Sequence, residues 1–163
     1  MILAFAHPGI VVPDLEGACE FYTAMFGFRE ISREGWADNQ VVDRIIGSSG
    51  SASRGVMLSG HNCFLELFEY SAPAQSGESP VDSGPHEQGI RHLAFYVDDC
   101  EREYRRLLEL GGQVLGEPVN GVVYGRDPFG NIIELCEIPE ERENPTELPG
   151  VSSLGNYRRE ESA

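Results

Sequence analysis

His7-Pro-Gly-Ile-Val-Val-Pro-Asp14 recurs as His92-Leu-Ala-Phe-Tyr-Val-Asp-Asp99: each stretch is a His, four residues, a Val, one residue and an Asp. The same offset carries Gly27 onto Gly112. Further on, Phe64-Leu-Glu66-Leu-Phe-Glu69 recurs as Ile132-Ile-Glu134-Leu-Cys-Glu137, two apolar residues, Glu, Leu, an apolar residue and Glu. Three matches in one order identify an internal duplication. Each half opens with a His and closes with an apolar stretch carrying a Glu. The halves differ in length between the Gly and that stretch, so an insertion lies in the middle of the first.

Local patterning gives each half the same elements. Ala4–Val12 and Ile90–Val97 are apolar and β-branched, as strands are. Asp14 and Asp99 are predicted helix N-caps. Leu15, Ala18, Tyr22, Met25 and Phe26 then recur at helical spacing, as do Tyr104, Leu107 and Leu108. Gly27 and the pair Gly111-Gly112 stop the two helices. Shorter apolar stretches follow: Phe28–Ser32, Val41–Ile46, Val56–Ser59 and Cys63–Glu69 in the first half, Gln113–Leu115, Val119–Tyr124 and Asn131–Ile138 in the second. Asp127-Pro128-Phe129-Gly130 suits a type I turn joining the last two strands. The expected fold class is α+β, two βαβββ modules. The first spans residues 1–70 and the second 90–138, with a linker at 71–89 and an acidic tail at 139–163. Gly47–Gly55, Ser71–Gly89 and the tail are expected to be irregular or mobile.

Composition narrows the partners. The 163 residues carry 12 Lys+Arg against 27 Asp+Glu, a formal charge of −15. Nucleic-acid binding rests on clustered cations that neutralise phosphates. None is present, so neither nucleic acid nor an anionic membrane is an expected partner. No apolar run approaches the roughly 20 residues of a membrane span. The first residues lack the basic region of a secretory signal. Cys19, Cys63, Cys100 and Cys136 show no CxxC spacing, which points to reduced, mostly buried thiols and a cytoplasmic protein.

The repeated polar residues carry the chemistry. Alternation along a strand puts Glu66 on the face of Phe64 and Phe68, and Glu134 on that of Ile132 and Cys136. A carboxylate on an apolar face is costly unless it is paired or bound to a cation. Two modules related by a pseudo-twofold would bring His7, Glu66, His92 and Glu134 together. Two imidazoles and two carboxylates suit one divalent transition metal (Ni, Co, Mn, Fe or Zn) better than Mg or Ca. An octahedral ion held by four protein ligands keeps two positions for water or substrate. His61 and His86 have no counterpart in the other half and are read as surface residues. Glu69 and Glu137 are repeated too, but their parity turns them to the opposite, exterior face.

These residues resemble the vicinal oxygen chelate superfamily, the glyoxalase, bleomycin-resistance and extradiol-dioxygenase group. The resemblance covers about residues 4–138. It rests on His7-Pro-Gly-Ile-Val-Val-Pro-Asp14-Leu, on Phe21-Tyr22 to Gly27-Phe28, and on Asp127-Pro128-Phe129-Gly130-Asn131-Ile132-Ile133-Glu134-Leu135. It implies paired βαβββ modules whose curved mixed sheets surround a metal-binding cavity, with ligand positions on His7, Glu66, His92 and Glu134. The His, Glu, His, Glu set is similar to that of bacterial glyoxalase I. Extradiol dioxygenases and fosfomycin enzymes lack a ligand at the position of Glu66. The glutathione-binding Arg and Asn of glyoxalase I have no evident match here.

The implied activity is that of a metal-dependent lyase or isomerase. It would bind a small substrate through two neighbouring oxygens and stabilise an enolate or enediolate. Glu66 or Glu134 would act as the base and Tyr124 as a proton donor. Two other readings stand beside it: a non-catalytic drug- or metabolite-binding protein of the same fold, and an Fe(II) ring-cleaving dioxygenase. A binder needs no ligand set, so the intact quartet favours the enzyme. A homodimer is the expected assembly, because small members of the superfamily pair and most homo-oligomers are symmetric dimers.

Overall fold

A computed structural model describes residues 2, 4–76 and 79–138. The acidic tail, 139–163, lies outside the described residues. The first half runs β1 (Gly9–Val11), α1 (Leu15–Phe26), β2 (Arg29–Trp36), α2 (Gln40–Ile46), β3 (Ala52–Ser59) and β4 (Phe64–Ala72). The second runs β5 (His92–Val97), α3 (Cys100–Glu109), β6 (Gln113–Val114), β7 (Val122–Arg126) and β8 (Ile132–Glu137). Each half folds into its own four-stranded mixed sheet, ordered β1-β4-β3-β2 and β5-β8-β7-β6. Topology and order are the same in both, as duplication requires. Among the described residues no helix is long and apolar enough to cross a membrane.

The two main helices start and stop on repeated signals. Asp14 accepts a hydrogen bond from Gly17 N at 3.1 Å, and Asp99 accepts one from Arg102 N at 2.8 Å. The repeated glutamates add a second cap. Glu69 Oε2 accepts from Leu15 N at 2.8 Å and Glu137 Oε2 from Cys100 N at 2.9 Å, each at the first residue of its helix. Both carboxylates thus satisfy an orphan helix donor and face the positive end of the helix dipole. Parity turns them away from Glu66 and Glu134, as expected, but that face is the helix-packed side of Leu67 and Leu135 and not an exterior one, so the expectation that they are exterior is corrected: they are structural caps. Gly27 ends α1 at φ 68°, a conformation that costs glycine nothing. In the second half the left-handed residue is Gly111, at φ 92°.

Three further expectations need correction. Val41–Ile46 is helix, not strand: Asn39 caps α2 by accepting from Val41 N and Val42 N. The stretch Gly47–Gly55 is only briefly a loop. Asp43 accepts from Gly50 N, Ser51 N and Ser51 Oγ, Ser51 is fully buried, and β3 has begun by Ala52. The described parts of the linker, 71–76 and 79–89, are docked. Gln75 Nε2 donates to Val12 O and Tyr70 O, a 3-10 turn spans Pro80–Asp82, and the buried Arg126 donates to the carbonyls of Pro80, Ser83 and Gly130.

One core serves both modules. Leu65 and Leu67 of β4, Ile133 and Leu135 of β8, and Leu15, Tyr22 and Met25 of α1 belong to a single buried cluster. The modules meet where Phe26 stacks on Phe95 of β5, with ring centroids 3.9 Å apart, and where Tyr22 Oη donates to Asp127 at 2.9 Å. Since Leu65, Leu67, Ile133 and Leu135 point into this core, alternation puts Glu66 and Glu134 on the opposite faces of their sheets.

The Glu69 carboxyl is held below the usual carboxylate range, first by the Leu15 N–H and then by the Arg54 guanidinium. A depressed carboxyl stabilises the fold above its ordinary pKa, 4.5, and gives that stability up as pH falls through its folded value. Glu69→Gln should therefore melt about 2 °C below wild type near neutral pH. The gap should close in a series of thermal melts as pH falls from the carboxyl's ordinary 4.5 through its lower folded value.

Candidate functional site

Register brings each His to its Glu. β1 runs parallel to β4 with Gly9 opposite Glu66, and β5 runs parallel to β8 with Ala94 opposite Glu134. In both modules the His stands two residues before the residue that faces the Glu. The outcome is the same in both: His7 Nε2 lies 3.0 Å from Glu66 Oε2, and His92 Nε2 lies 3.0 Å from Glu134 Oε2. All four side chains remain partly open to solvent. In the Nε2-protonated tautomer the His7–Glu66 contact is a hydrogen bond, while His92 and Glu134 make the same close N···O approach. In the other tautomer each contact is a pair of lone-pair donors side by side. Two cis ligands about 2.1 Å from an octahedral ion lie about 3.0 Å apart, so each pair has the spacing of half a first coordination sphere.

The structure brings the residues together in pairs and not as a foursome. Among the described residues no group of three or more His, Cys, Asp and Glu is placed to hold an ion. The pairs sit on different sheets, whose core-facing sides share the cluster around α1. Both His stand at the sheet edge, His92 in edge strand β5 and His7 just ahead of edge strand β1. His61 and His86 are exposed, as expected for residues outside the repeat.

Tyr124 faces Glu134 across β7 and β8, and its ring centroid lies 5.1 Å from that of His92. Burial pushes its phenol up, and the Glu134 carboxylate pushes it further. The phenol keeps its proton at neutral pH, which suits a donor. Cys136 also belongs to this half-site, through an Sγ–H···Oε1 contact with Glu134 at 3.4 Å. The sequence reading put Cys136 on this face without assigning it a contact. Alternation alone could have flagged it, since it is two residues from Glu134. Of the other cysteines, Cys19 and Cys100 are buried and Cys63 is exposed, so the expectation of mostly buried thiols holds in part. None of the four is in a disulfide.

The first half-site is built differently around the same pair. Met57 faces Glu66 where the second module has Tyr124. Phe68 and Tyr70 follow Glu66 on its face of β4, and Trp36 packs edge-on to both at 5.8 and 5.6 Å. Trp36 is held by its Nε1–H, which donates to Ser51 Oγ at 2.8 Å. Ser51 Oγ in turn donates to Asp43 of α2 at 2.6 Å. The inserted helix thus anchors the Trp36 ring. Sequence patterning missed this, because no local signal ties residue 36 to residue 51.

The sequence model of the Glyoxalase/Bleomycin resistance protein/Dioxygenase superfamily matches residues 4–135. The chain is 31% identical over 151 residues to a 2-epi-5-epi-valiolone epimerase of Actinomyces sp, covering 84% of this chain and 80% of that protein. Among solved structures it resembles a glyoxalase family protein from Bacillus cereus (TM-score 0.75, 20% identity, 84% of this chain and 95% of that one). It also resembles the fosfomycin resistance protein FosX of Listeria monocytogenes (TM-score 0.58, 18% identity, 87% and 98% covered). That FosX was solved with Mn(II) and 1S,2S-dihydroxypropylphosphonic acid.

Burial and the adjacent Glu134 push the Cys136 thiol up to about 11. In metal-stripped protein at about pH 8, iodoacetamide should therefore label the exposed Cys63 well before Cys136. Cys136 labelling should climb only towards its own pKa, and Glu134→Gln should move that profile to lower pH, because it removes a negative charge beside the thiol. Equal labelling of Cys63 and Cys136 at the lower pH, read by peptide mass spectrometry, would contradict the contact.

Proposed function

Because the chain belongs to the glyoxalase/bleomycin resistance protein/dioxygenase superfamily, we propose that it is a metal-dependent isomerase of the glyoxalase type. Its substrate is a small molecule that offers two neighbouring oxygens, such as an α-hydroxy ketone. The observation that carries this reading is the repeated His–Glu contact, at one spacing and one register, on the solvent-open side of both sheets. His7, Glu66, His92 and Glu134 would hold one divalent transition metal. When bound, the ion supplies Lewis acidity to the two substrate oxygens.

The site forms across a homodimer, where the His7–Glu66 pair of one chain meets the partner's second-module pair. Two observations support this assembly. The pairs of a single chain do not cluster. Phe5 and Ile90, each two residues before its His, are 84% and 87% exposed, and Val11 and Tyr96, four residues after, are also exposed. Repeated apolar side chains beside both pairs are what a symmetric contact would cover.

The side chains divide the proton chemistry. A carboxylate, Glu66 or Glu134, takes the proton from the carbon beside the carbonyl, and the bonding electron pair moves onto the carbonyl oxygen. Tyr124, which keeps its proton at neutral pH, stands beside Glu134 to donate. Return of a proton to the opposite face of the same carbon inverts it. The epimerase relative favours this outcome over ring cleavage, and so does a Glu at position 66.

Dialysed, tag-free protein should carry about one divalent transition metal per chain by elemental mass spectrometry. His92→Ala and Glu134→Gln should each lose it while keeping the wild-type circular dichroism spectrum. In deuterated water the loaded enzyme should place deuterium at the carbon beside the carbonyl of an α-hydroxy ketone, and Glu134→Gln should not. Stoichiometric metal retained in both variants would remove the site, and metal without exchange would turn the reading to a binding protein.

A further inference from the structure

We propose that Cys136 is a positioning residue: its thiol holds Glu134 as the fixed ligand of the site, and this leaves Glu66, which has no such donor beside it, as the carboxylate that takes the substrate proton. The inference rests on the isomerase reading and divides the roles that reading leaves shared between the two glutamates. Glu134 is engaged at both oxygens. Oε2 lies 3.0 Å from His92 Nε2, and Oε1 accepts from Cys136 Sγ at 3.4 Å. A thiol carries its proton near neutral pH and donates weakly, so it fixes the direction of a carboxylate while leaving it charged.

The same positions around Glu66 carry no donor. Along the strand, the residues that share its face are Phe64 and Phe68, where Glu134 has Ile132 and Cys136. Across the antiparallel neighbour, Glu66 meets Met57, where Glu134 meets Tyr124. Across the parallel edge strand, Glu66 meets Gly9, where Glu134 meets Ala94. A methyl on Gly9 would meet only Phe68 Cε2 within 4 Å, at 3.8 Å, so the edge side of Glu66 is open. Among the described residues, the side chain bonded to Glu66 is His7, and it engages Oε2 alone. Glu66 is also the more exposed of the two carboxylates, its side chain 29% open against 18% for Glu134.

The two environments suit two tasks. A carboxylate that stays on an ion is served by an outer hydrogen bond that orients it. A carboxylate that must swing to a carbon needs room and no second restraint. Glu66 breaks the C–H bond beside the carbonyl and takes the proton, and the electron pair moves onto the carbonyl oxygen. The pair then returns to the carbon, which bonds the proton given by Tyr124 Oη. Solvent removes the proton from Glu66 and restores that of Tyr124. Removal and return thus use side chains of different modules, as delivery to opposite faces of one carbon requires. Duplication produced two equal pairs, and divergence then gave one a bare base and the other a phenol and a thiol.

The test takes three readings on the full-length protein. The first is the infrared S–H stretching band of Cys136 in metal-free protein, isolated by difference from Cys136→Ser. It should move to higher frequency in Glu134→Gln, because a neutral amide oxygen is a weaker acceptor than a carboxylate. An unmoved band would overturn the hold on Glu134. The second is Mn(II) affinity, read from the electron paramagnetic resonance signal of the free ion. Cys136→Ala should bind Mn(II) about tenfold more weakly, and Cys136→Ser, which keeps a donor, should stay within about threefold of wild type. Ser and Ala are close in size, so equal affinities in the two variants would make Cys136 a packing residue and overturn the proposal. The third is deuterium uptake from heavy water by acetoin, an α-hydroxy ketone with one invertible carbon. Met57→Gln brings an amide donor opposite Glu66 and should slow uptake about tenfold with Mn(II) still bound. Met57→Leu, which adds no donor, should slow it less than about threefold. Equal rates in the two Met57 variants would overturn the role of Glu66. Wild-type protein without metal or without uptake removes the isomerase reading and the base with it, and the S–H band then decides by itself whether the thiol holds Glu134.

Discussion

The carboxylate of Asp127 holds the two modules in their relation to each other. It is fully buried and accepts four hydrogen bonds, from Tyr22 Oη, Phe129 N, Asn131 N and Asn131 Nδ2. Three of these shape the β7–β8 hairpin that leads into Glu134, and the fourth reaches into α1 of the other module. Burial pushes the carboxyl up and the donors around it pull it down, so its place in the interior depends on every one of them. With this contact and the Phe26–Phe95 stack in place, the core-facing sides of both sheets close on α1. The His–Glu sides are left outward. The position of the candidate site is thus a consequence of how the core is shared.

Much of this was legible in the residues. The caps at Asp14 and Asp99, the stop at Gly27 and the hairpin at Asp127–Gly130 are local, and local chemistry decides them. The His–Glu pairs were legible because duplication repeats them, and a parallel register needs only strand parity to bring them close. Val41–Ile46 was misread because Val-Val-Asp-Arg-Ile-Ile fits a short strand as well as a short helix. Asn39 as cap and Asp43 as tether decide for the helix. Asp127 was read as a turn residue alone, since its partner Tyr22 lies 105 residues away. Separation of the two pairs was equally hidden: it follows from packing between modules, which strand patterning does not encode.

The glutamates show how duplication distributes tasks. Glu66 and Glu134 face out beside a His, while Glu69 and Glu137, three residues on, turn back to cap a helix. One short strand pattern thus carries a donor for the site and a clamp for the scaffold. Around the pairs the modules differ: Met57 stands against Tyr124 and Phe68 against Cys136. A frame kept equal in both halves and a lining allowed to diverge is the pattern expected of a site that must tell two ends of a substrate apart.

The central claim is that each chain carries two halves of different sites, and subunit mixing tests it directly. His7→Ala and His92→Ala protein, each free of metal alone, would be mixed, allowed to exchange subunits and loaded with the metal found in wild type. If the halves complete each other across chains, a mixed dimer holds one intact site and one doubly altered site, so metal uptake and isomerase activity return. If the quartet forms within one chain, the mixture stays as empty and inactive as its parents, and the account is wrong.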